Sequence, residues 1–371
     1  MEGTRPRTAS SIGMFDMLKG AGMLTIVFAH TAELYPMQSV SGLSLTAFFP
    51  FIYREALMAA FFIASGYGFR KRSIHKCIHQ QLKSLLKPYL YTALFTCVLH
   101  FIIHYKTFQY LPGTIGESIK VTGGFLLGLP HTAEYFGQEF FSCGPMWYLL
   151  ALMVGWVLLD VILNIFPERY VPWAVAGCVL LGWGASLVWE LPFCLIQGAV
   201  VVPYLYIGFL AKRHHLLDEP LPRKLFAGLL AATVLIAVGA LATRTTDCIS
   251  LAEWSLGPLS IFLDGAAGLL FIRLFMRLSR GHGPIVRFLE AVGRRSLNIF
   301  CVHTVEIIAI PWYLMVAKFS AQPVLGMWLQ YAIALGSIWL VCELLRVRRA
   351  LIIRFFPARR RTPAVHYTSR H

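Results

Sequence analysis

Residues 15–34 read FDMLKGAGMLTIVFAHTAEL, an apolar stretch with a lysine near its start and a histidine near its end. About twenty such residues are enough for one helix to cross a bilayer. Lys19 and His30 are eleven residues apart, which a rise of 1.5 Å per residue converts to about 16 Å along the helix axis. Polar groups inside a hydrophobic span are costly unless they pair or face a wet cavity. The stretch therefore predicts either functional groups within the membrane, or a lysine that reaches the headgroups and a structural histidine.

The composition of the whole chain agrees with a membrane setting. Of its 371 residues, 57% are hydrophobic and only 14% are charged, and the mean hydropathy is +0.64. Soluble domains carry roughly 25% charged residues. We therefore predict an all-α, polytopic transmembrane helical bundle with no room for a soluble catalytic domain. Its first span contains Lys19 and is too long for a signal-peptide core, so we expect it to be retained.

The net charge of +15 is concentrated in blocks at the ends of apolar runs. Such blocks indicate topology and contact with anionic membrane lipids, and we expect no nucleic-acid partner. The eight cysteines are scattered and include no CxxC pair. We interpret them as small buried hydrophobic residues, and we predict no metal site and no disulfide framework.

The basic blocks predict which loops face the cytoplasm. The blocks are 70–87, 212–224, 277–295 and 346–361. The predicted spans between them are 15–34, 45–69, 84–105, 146–166, 171–189, 193–210, 225–242, 255–278, 296–318 and 324–346. The run 115–129 contains Glu117 and Lys120 and is shorter than a span, so we predict an outer re-entrant or interfacial segment there.

This pattern gives about ten spans with both termini in the cytoplasm. The predicted parts are a cytoplasmic segment over residues 1–13, a transmembrane domain over 14–346, and a basic cytoplasmic tail over 347–371.

Two histidines are each followed by a glutamate three residues later, on the same helical face. Glu33 follows His30, and a carboxylate there would hold the imidazole as a general base for a hydroxyl; alternatively, Glu33 faces water among the headgroups. Glu306 follows His303, which we expect closer to the cytoplasm, where the pair has a functional or a structural role.

Three further charges are predicted near the middle of the membrane. Arg54 and Glu55 lie in the second predicted span, and Asp264 lies in the span 255–278. Buried charges are functional candidates, but Arg54–Asp264 or Lys19–Glu55 ion pairs would explain them structurally.

Several short motifs share an order and a spacing with a known family. The first consists of Asp16, Lys19 and His30. The others are FFIASGY at 61–67, KSLLKPY at 83–89, WYL at 147–149 and SLNIFCVH at 296–303. Together they resemble the acyltransferase-3 family of integral membrane acyltransferases, along nearly the whole chain. Lys19 stands where the family usually has arginine, and Phe300 where tyrosine is usual.

The resemblance implies a membrane O-acyltransferase in the inner (plasma) membrane. It would move an acyl group, most often acetyl, from cytoplasmic acyl-coenzyme A to a hydroxyl of an extracytoplasmic or lipid-linked glycan or similar acceptor. His30 and Glu33 are the predicted catalytic residues. The residues predicted to bind the donor are Asp16, Lys19, Arg70, Arg72, Lys83, Lys87, Trp147 and His303.

Two alternatives stay open at this point. One is a secondary transporter or lipid-linked glycan flippase that uses Arg54, Glu55, Asp264 and His303 as its path. The other is a bundle that only carries the acyl group across the membrane for a separate extracytoplasmic enzyme. Many family members carry a fused outer hydrolase-like domain for that step, and we expect this chain to be a stand-alone member.

Overall fold

The computed structural model describes residues 13–35, 54, 56–218, 220–281 and 283–355, and almost all of its regular structure is helical. Its first helices are α1 Asp16–Glu33, α2 Met58–Tyr67, α3 Ile74–Gln81, α4 Lys87–Phe108 and α5 Leu111–Leu127. The later helices are α6 Trp147–Ile165, α7 Val171–Ser186, α8 Leu195–Val200, α9 Val202–Arg213, α10 Arg223–Thr243, α11 Pro258–Leu278, α12 Pro284–Gly293, α13 Ser296–Ala309, α14 Trp312–Lys318 and α15 Pro323–Phe355.

Several connections among the described residues contain regular structure of their own. A π-helical turn, Leu82–Leu86, joins α3 to α4. Between α5 and α6, strands β1 Ala133–Tyr135 and β2 Gln138–Phe140 pair antiparallel as a hairpin, and the 3₁₀ turn Gly144–Met146 leads into α6. A second 3₁₀ turn, Glu168–Tyr170, precedes α7.

Within the described residues, six helical segments are long and apolar enough to cross a membrane. They are Ile74–Phe108, Gly144–Ile165, Leu195–Arg213, Arg223–Thr243, Pro258–Leu278 and Pro323–Arg348. The α13–α14 pair, bent by 64°, makes seven if it is counted as one broken span. A helical membrane protein is therefore confirmed, whereas the count of ten spans and the cytoplasmic termini stay predictions.

The difference between six and ten has local causes. Helix α1 carries three charged side chains in its 18 residues, Asp16, Lys19 and Glu33. Helix α7 has only 16 residues, fewer than the ~20 that span a hydrocarbon core. Much of the predicted span 45–69 lies outside the described residues, as do the segment 1–12 and the tail beyond 355.

The predicted outer segment 115–129 falls in α5, a 17-residue helix that packs antiparallel to α4. The hydroxyl of Tyr89 donates to the carbonyl of Phe125 at 2.6 Å, and His104 Nδ1 lies 2.9 Å from Thr114 Oγ1. A left-handed glycine, Gly128, ends the helix. The helix is thus shorter than an ordinary span, and its position in the membrane stays a prediction.

Glycines let the helices around α1 and α2 approach at backbone distance. A Cβ atom on Gly20 would lie 1.8 Å from the carbonyl oxygen of Leu289, and one on Gly293 would lie 1.8 Å from that of Asp16. These contacts seat α12 directly against the start of α1. Small residues commonly allow such crossings in membrane helices, and this crossing fixes the end of α1 that carries Lys19.

Gly208 provides a test of this packing, since a Cβ there would lie 2.1 Å from the carbonyl oxygen of Ile63 in α2. We expect Gly208→Ala to lower the thermal midpoint strongly, because backbone cannot yield as a side chain does and ordinary overpacking already costs about 1–3 kcal/mol. The matched control is Gly228→Ala in α10, where a Cβ meets nothing within 4 Å. That control gains helix propensity, so equal midpoints for the two variants would contradict the close crossing.

Candidate active site

One cavity of roughly 600 Å³ runs inside the bundle beside α1, α2, α6 and α13. Lys19 and Glu33 both line it. They lie at opposite ends of α1, which separates them by about 21 Å along the helix axis. The cavity therefore extends along most of the length of α1. Its middle is walled by apolar side chains, among them Met23, Ile26 and Leu149.

A histidine, a carboxylate and an arginine meet at the end of the cavity beside the last turn of α1. His30 Nδ1 lies 3.5 Å from Glu33 Oε2, and a guanidinium nitrogen of Arg54 lies 2.8 Å from Glu33 Oε1. All three residues line the cavity and are partly exposed to it. Glu33 thus bridges the imidazole and the guanidinium, and it stabilises a positive charge on His30 whenever that ring takes up a proton.

The structure pairs Arg54 with Glu33 at the end of α1, an ion pair that the sequence analysis did not predict. Regular α-helix α2 begins only at Met58, so Arg54 lies before it in the chain. The expectation that Arg54 lies near the middle of the membrane, in the second predicted span, stays a prediction. Glu55, the other charge predicted in that span, lies outside the described residues.

His303 lies directly behind His30. The centroids of the two rings are 5.6 Å apart, and His303 Nδ1 is 3.0 Å from Glu306 Oε2. His303 is only 2% exposed and does not line the cavity; its Nε2 has no hydrogen-bond partner among the described residues. The two imidazoles are thus neighbours in the bundle, and the expectation that His303 lies closer to the cytoplasm stays a prediction.

Lys19 marks the other end of the cavity. It is half-buried, lines the cavity, and forms no salt bridge with any described residue. An ammonium group without a carboxylate partner at the end of an apolar cavity favours an anionic ligand there.

The other predicted donor-binding residues fall into three groups. Trp147 is buried and lines the cavity. Arg70, Lys83 and Lys87 are exposed and Arg72 is half-buried; none of them lines the cavity, although Leu85, which does, sits between the two lysines. Asp16 is buried at the start of α1, off the cavity.

Three of the sequence motifs contribute to the cavity wall between the Lys19 end and the Glu33 end. Ser65 Oγ lies 3.3 Å from the hydroxyl of Tyr148, and both residues line the cavity. The Tyr148 ring packs against Phe62 at 4.6 Å and meets Phe300 edge-on at 6.1 Å. The motifs at 61–67, 147–149 and 296–303 therefore build one aromatic wall, although they are far apart in the chain.

Sequence reasoning missed one segment of the cavity wall. It consists of Cys248, Ile249, Ser250 and Leu251. The carbonyl oxygen of Ser250 lies 2.9 Å from His131 Nδ1 and accepts a 3.4 Å hydrogen bond from Gln197. No local pattern signals these contacts, because the partners are 119 and 53 residues away in the chain.

His131 links this segment to Glu190. Its Nδ1 faces the Ser250 carbonyl, and its Nε2 lies 2.8 Å from Glu190 Oε1. Both partners are acceptors, so the ring is the donor in each hydrogen bond that it makes with them. Because the segment loses this link, we expect His131→Ala to raise severalfold the rate at which buried Cys248 reacts with a maleimide, measured by peptide mass spectrometry on the purified protein.

The unchanged protein and His131→Ala are compared at the same pH and reagent concentration. Equal rates for the two proteins would show that His131 does not hold the segment.

These features define a multi-pass helical membrane protein with an internal, histidine-bearing cavity. Residues 12–347 match the acyltransferase-3 family model, described as an acyltransferase domain. The chain therefore belongs to the acyltransferase-3 family, and it is a membrane acyltransferase by family. No curated protein sequence and no solved structure matches the chain.

Proposed function

We propose that the protein transfers an acyl group, most often acetyl, from acyl-coenzyme A at the Lys19 end of the cavity to a hydroxyl acceptor at the Glu33–Arg54 end. One observation carries this proposal: a single cavity joins Lys19, whose ammonium group has no salt bridge within the described part of the chain, to a histidine held by a carboxylate. The acceptor would be an extracytoplasmic or lipid-linked glycan or a similar hydroxyl compound.

The donor suits the shape of the cavity. Its phosphates would sit at Lys19, with Arg70, Arg72, Lys83 and Lys87 adding positive charge around that end. Its long pantetheine arm would lie along the apolar middle, past the aromatic wall. The thioester would then approach His30, since Lys19 and His30 are about 16 Å apart along α1.

His30 would act as general base. It would take the proton of the acceptor hydroxyl while the hydroxyl oxygen attacks the thioester carbonyl carbon. The carbon–sulfur bond then breaks, and the imidazolium returns its proton to the departing thiolate, so that no net proton is consumed. Glu33 stabilises the imidazolium, and Arg54 holds Glu33 in place. Transfer through an acyl group on His30 would use the same residues.

His303 would act through His30 rather than on the donor itself. Its ring fills the space behind His30, and Glu306 fixes the orientation of that ring. A buried, oriented neighbour limits the positions open to the base, which general-base catalysis requires. Because His30 lies near the start of the chain and His303 near its end, both halves of the chain contribute to the site.

Lys19 variants test the donor end of this proposal. We expect Lys19→Ala to raise the KM for acetyl-coenzyme A about tenfold or more with a smaller change in kcat, since charge-assisted contacts with phosphate are worth about 1.5–3 kcal/mol. Lys19→Arg should remain close to the unchanged protein because it keeps the charge. Lys76→Ala, an exposed lysine off the cavity, is the control. An unchanged KM in Lys19→Ala would remove Lys19 from the donor site.

A further inference from the structure

A second, smaller cavity lies near the end of α11, away from the site described above. It has a volume of about 210 Å³ and shares no lining residue with the larger cavity. Its polar lining consists of Arg273, Arg277, Arg280 and Asp218. We call it the arginine pocket.

Positive charge dominates the described lining of the arginine pocket. Arg273 and Arg277 are four residues apart on one face of α11, and Arg280 follows in the turn after the helix ends at Leu278. Among the described lining residues Asp218 is the one carboxylate, and it already lies 2.8 Å from His215 Nδ1. Neither Arg277 nor Arg280 forms a salt bridge with a described residue. An anion between these two guanidinium groups would offset their mutual repulsion.

The geometry of the pocket suits a phosphate group. A guanidinium nitrogen of Arg273 donates to the backbone carbonyl of Leu216, which fixes that side chain across the pocket. Guanidinium groups present forked donors that match phosphate oxygens in pairs. A helix C-terminus favours cations by itself, but that effect does not require three of them to converge on a cavity.

The position of the pocket indicates where the phosphate comes from. Helix α11 is one of the candidate membrane spans, and Leu274 and Leu278 are exposed on its last turns. The pocket also has apolar walls, formed by Leu217, Pro220 and Met276. Basic pockets beside membrane helices at the cytoplasmic surface commonly bind anionic headgroups, and the basic block 277–295 predicts that surface here.

We propose that the arginine pocket binds a phosphate group, and that the exposed leucines beside it favour the phosphate of an anionic phospholipid over that of a soluble compound. This site is independent of the acyltransferase cavity. Its occupant would stabilise the end of α11 beside Leu217, Asp218 and Pro220, without taking part in acyl transfer.

The test is native mass spectrometry of the full-length protein in detergent, titrated with phosphatidylglycerol, with phosphatidylcholine, or with sodium pyrophosphate. We expect the unchanged protein to retain phosphatidylglycerol, and Arg277→Gln/Arg280→Gln to bind it about tenfold more weakly, a loss of about 1.4 kcal/mol. The matched control is Arg223→Gln/Lys224→Gln, which removes two exposed positive charges outside the pocket. It should bind like the unchanged protein.

The outcomes separate the sources of the phosphate. Retention of phosphatidylglycerol that pyrophosphate does not displace supports the lipid; retention of pyrophosphate alone supports a soluble phosphate compound. Arg277→Lys/Arg280→Lys keeps the positive charges but loses the forked guanidinium donors. An affinity for phosphatidylglycerol between those of the unchanged protein and the glutamine variant supports a role for the guanidinium geometry. Equal affinity of the unchanged protein and the glutamine variant for both phosphate probes would overturn the proposal.

Discussion

Replacing His30 by alanine is expected to reduce acyl transfer to background while the protein still inserts and folds. His30 lines the cavity and is partly exposed to it, so its removal leaves no large hole in a packed core. A positioned base contributes about 10²–10⁴-fold to rate, and the loss is larger if the imidazole itself carries the acyl group. The measurement is the initial rate of acyl-acceptor formation in nanodiscs, followed by mass spectrometry.

Two comparisons make this result interpretable. His79→Ala removes an exposed histidine of α3 that does not line the cavity, and it should keep full activity. The thermal midpoint of His30→Ala should stay close to that of the unchanged protein, which shows that the loss is chemical. Substantial activity in a folded His30→Ala protein would contradict the role assigned to this residue.

The second large effect is expected at Glu33. Glu33→Gln keeps the size of the side chain but removes the charge that stabilises an imidazolium at His30 and that pairs with Arg54. We expect kcat to fall about 10–100-fold, because the base is held less well and its charged form loses a neighbouring carboxylate. The donor KM should change little, since Lys19 lies at the other end of the cavity.

The matched control is Glu134→Gln, which removes an exposed carboxylate from the β-hairpin. Glu134→Gln should keep the kcat of the unchanged protein. An unchanged kcat in Glu33→Gln would show that Glu33 only faces water at the edge of the membrane.

Local pattern predicted a good part of the site. The spacing of three residues placed Glu33 beside His30 and Glu306 beside His303, and both pairs are present at 3.5 and 3.0 Å. Helical periodicity is a local property, so the sequence can express it directly. The membrane class of the fold follows in the same way from hydropathy, and the family follows from the motifs of the aromatic wall.

Contacts between distant residues could not be predicted in this way. The contact of His30 with His303 joins two helices that lie at opposite ends of the chain. Likewise, the Arg54–Glu33 pair and the Ser250 contact with His131 depend on how helices and loops meet. Residue counts along each predicted span could not show that Arg54 would meet Glu33 or that His303 would meet His30, because they do not describe how separate helices pack.

The most direct test of the central claim is acyl transfer across a sealed membrane. Proteoliposomes would receive isotope-labelled acetyl-coenzyme A on the side of Lys19 only and a mixed glycan acceptor on the opposite side, with His30→Ala as the reference protein. The account predicts labelled acceptor, together with free coenzyme A on the donor side, in the unchanged protein alone. Label that stays on coenzyme A with several acyl donors, or that reaches the acceptor equally with His30→Ala, would contradict it.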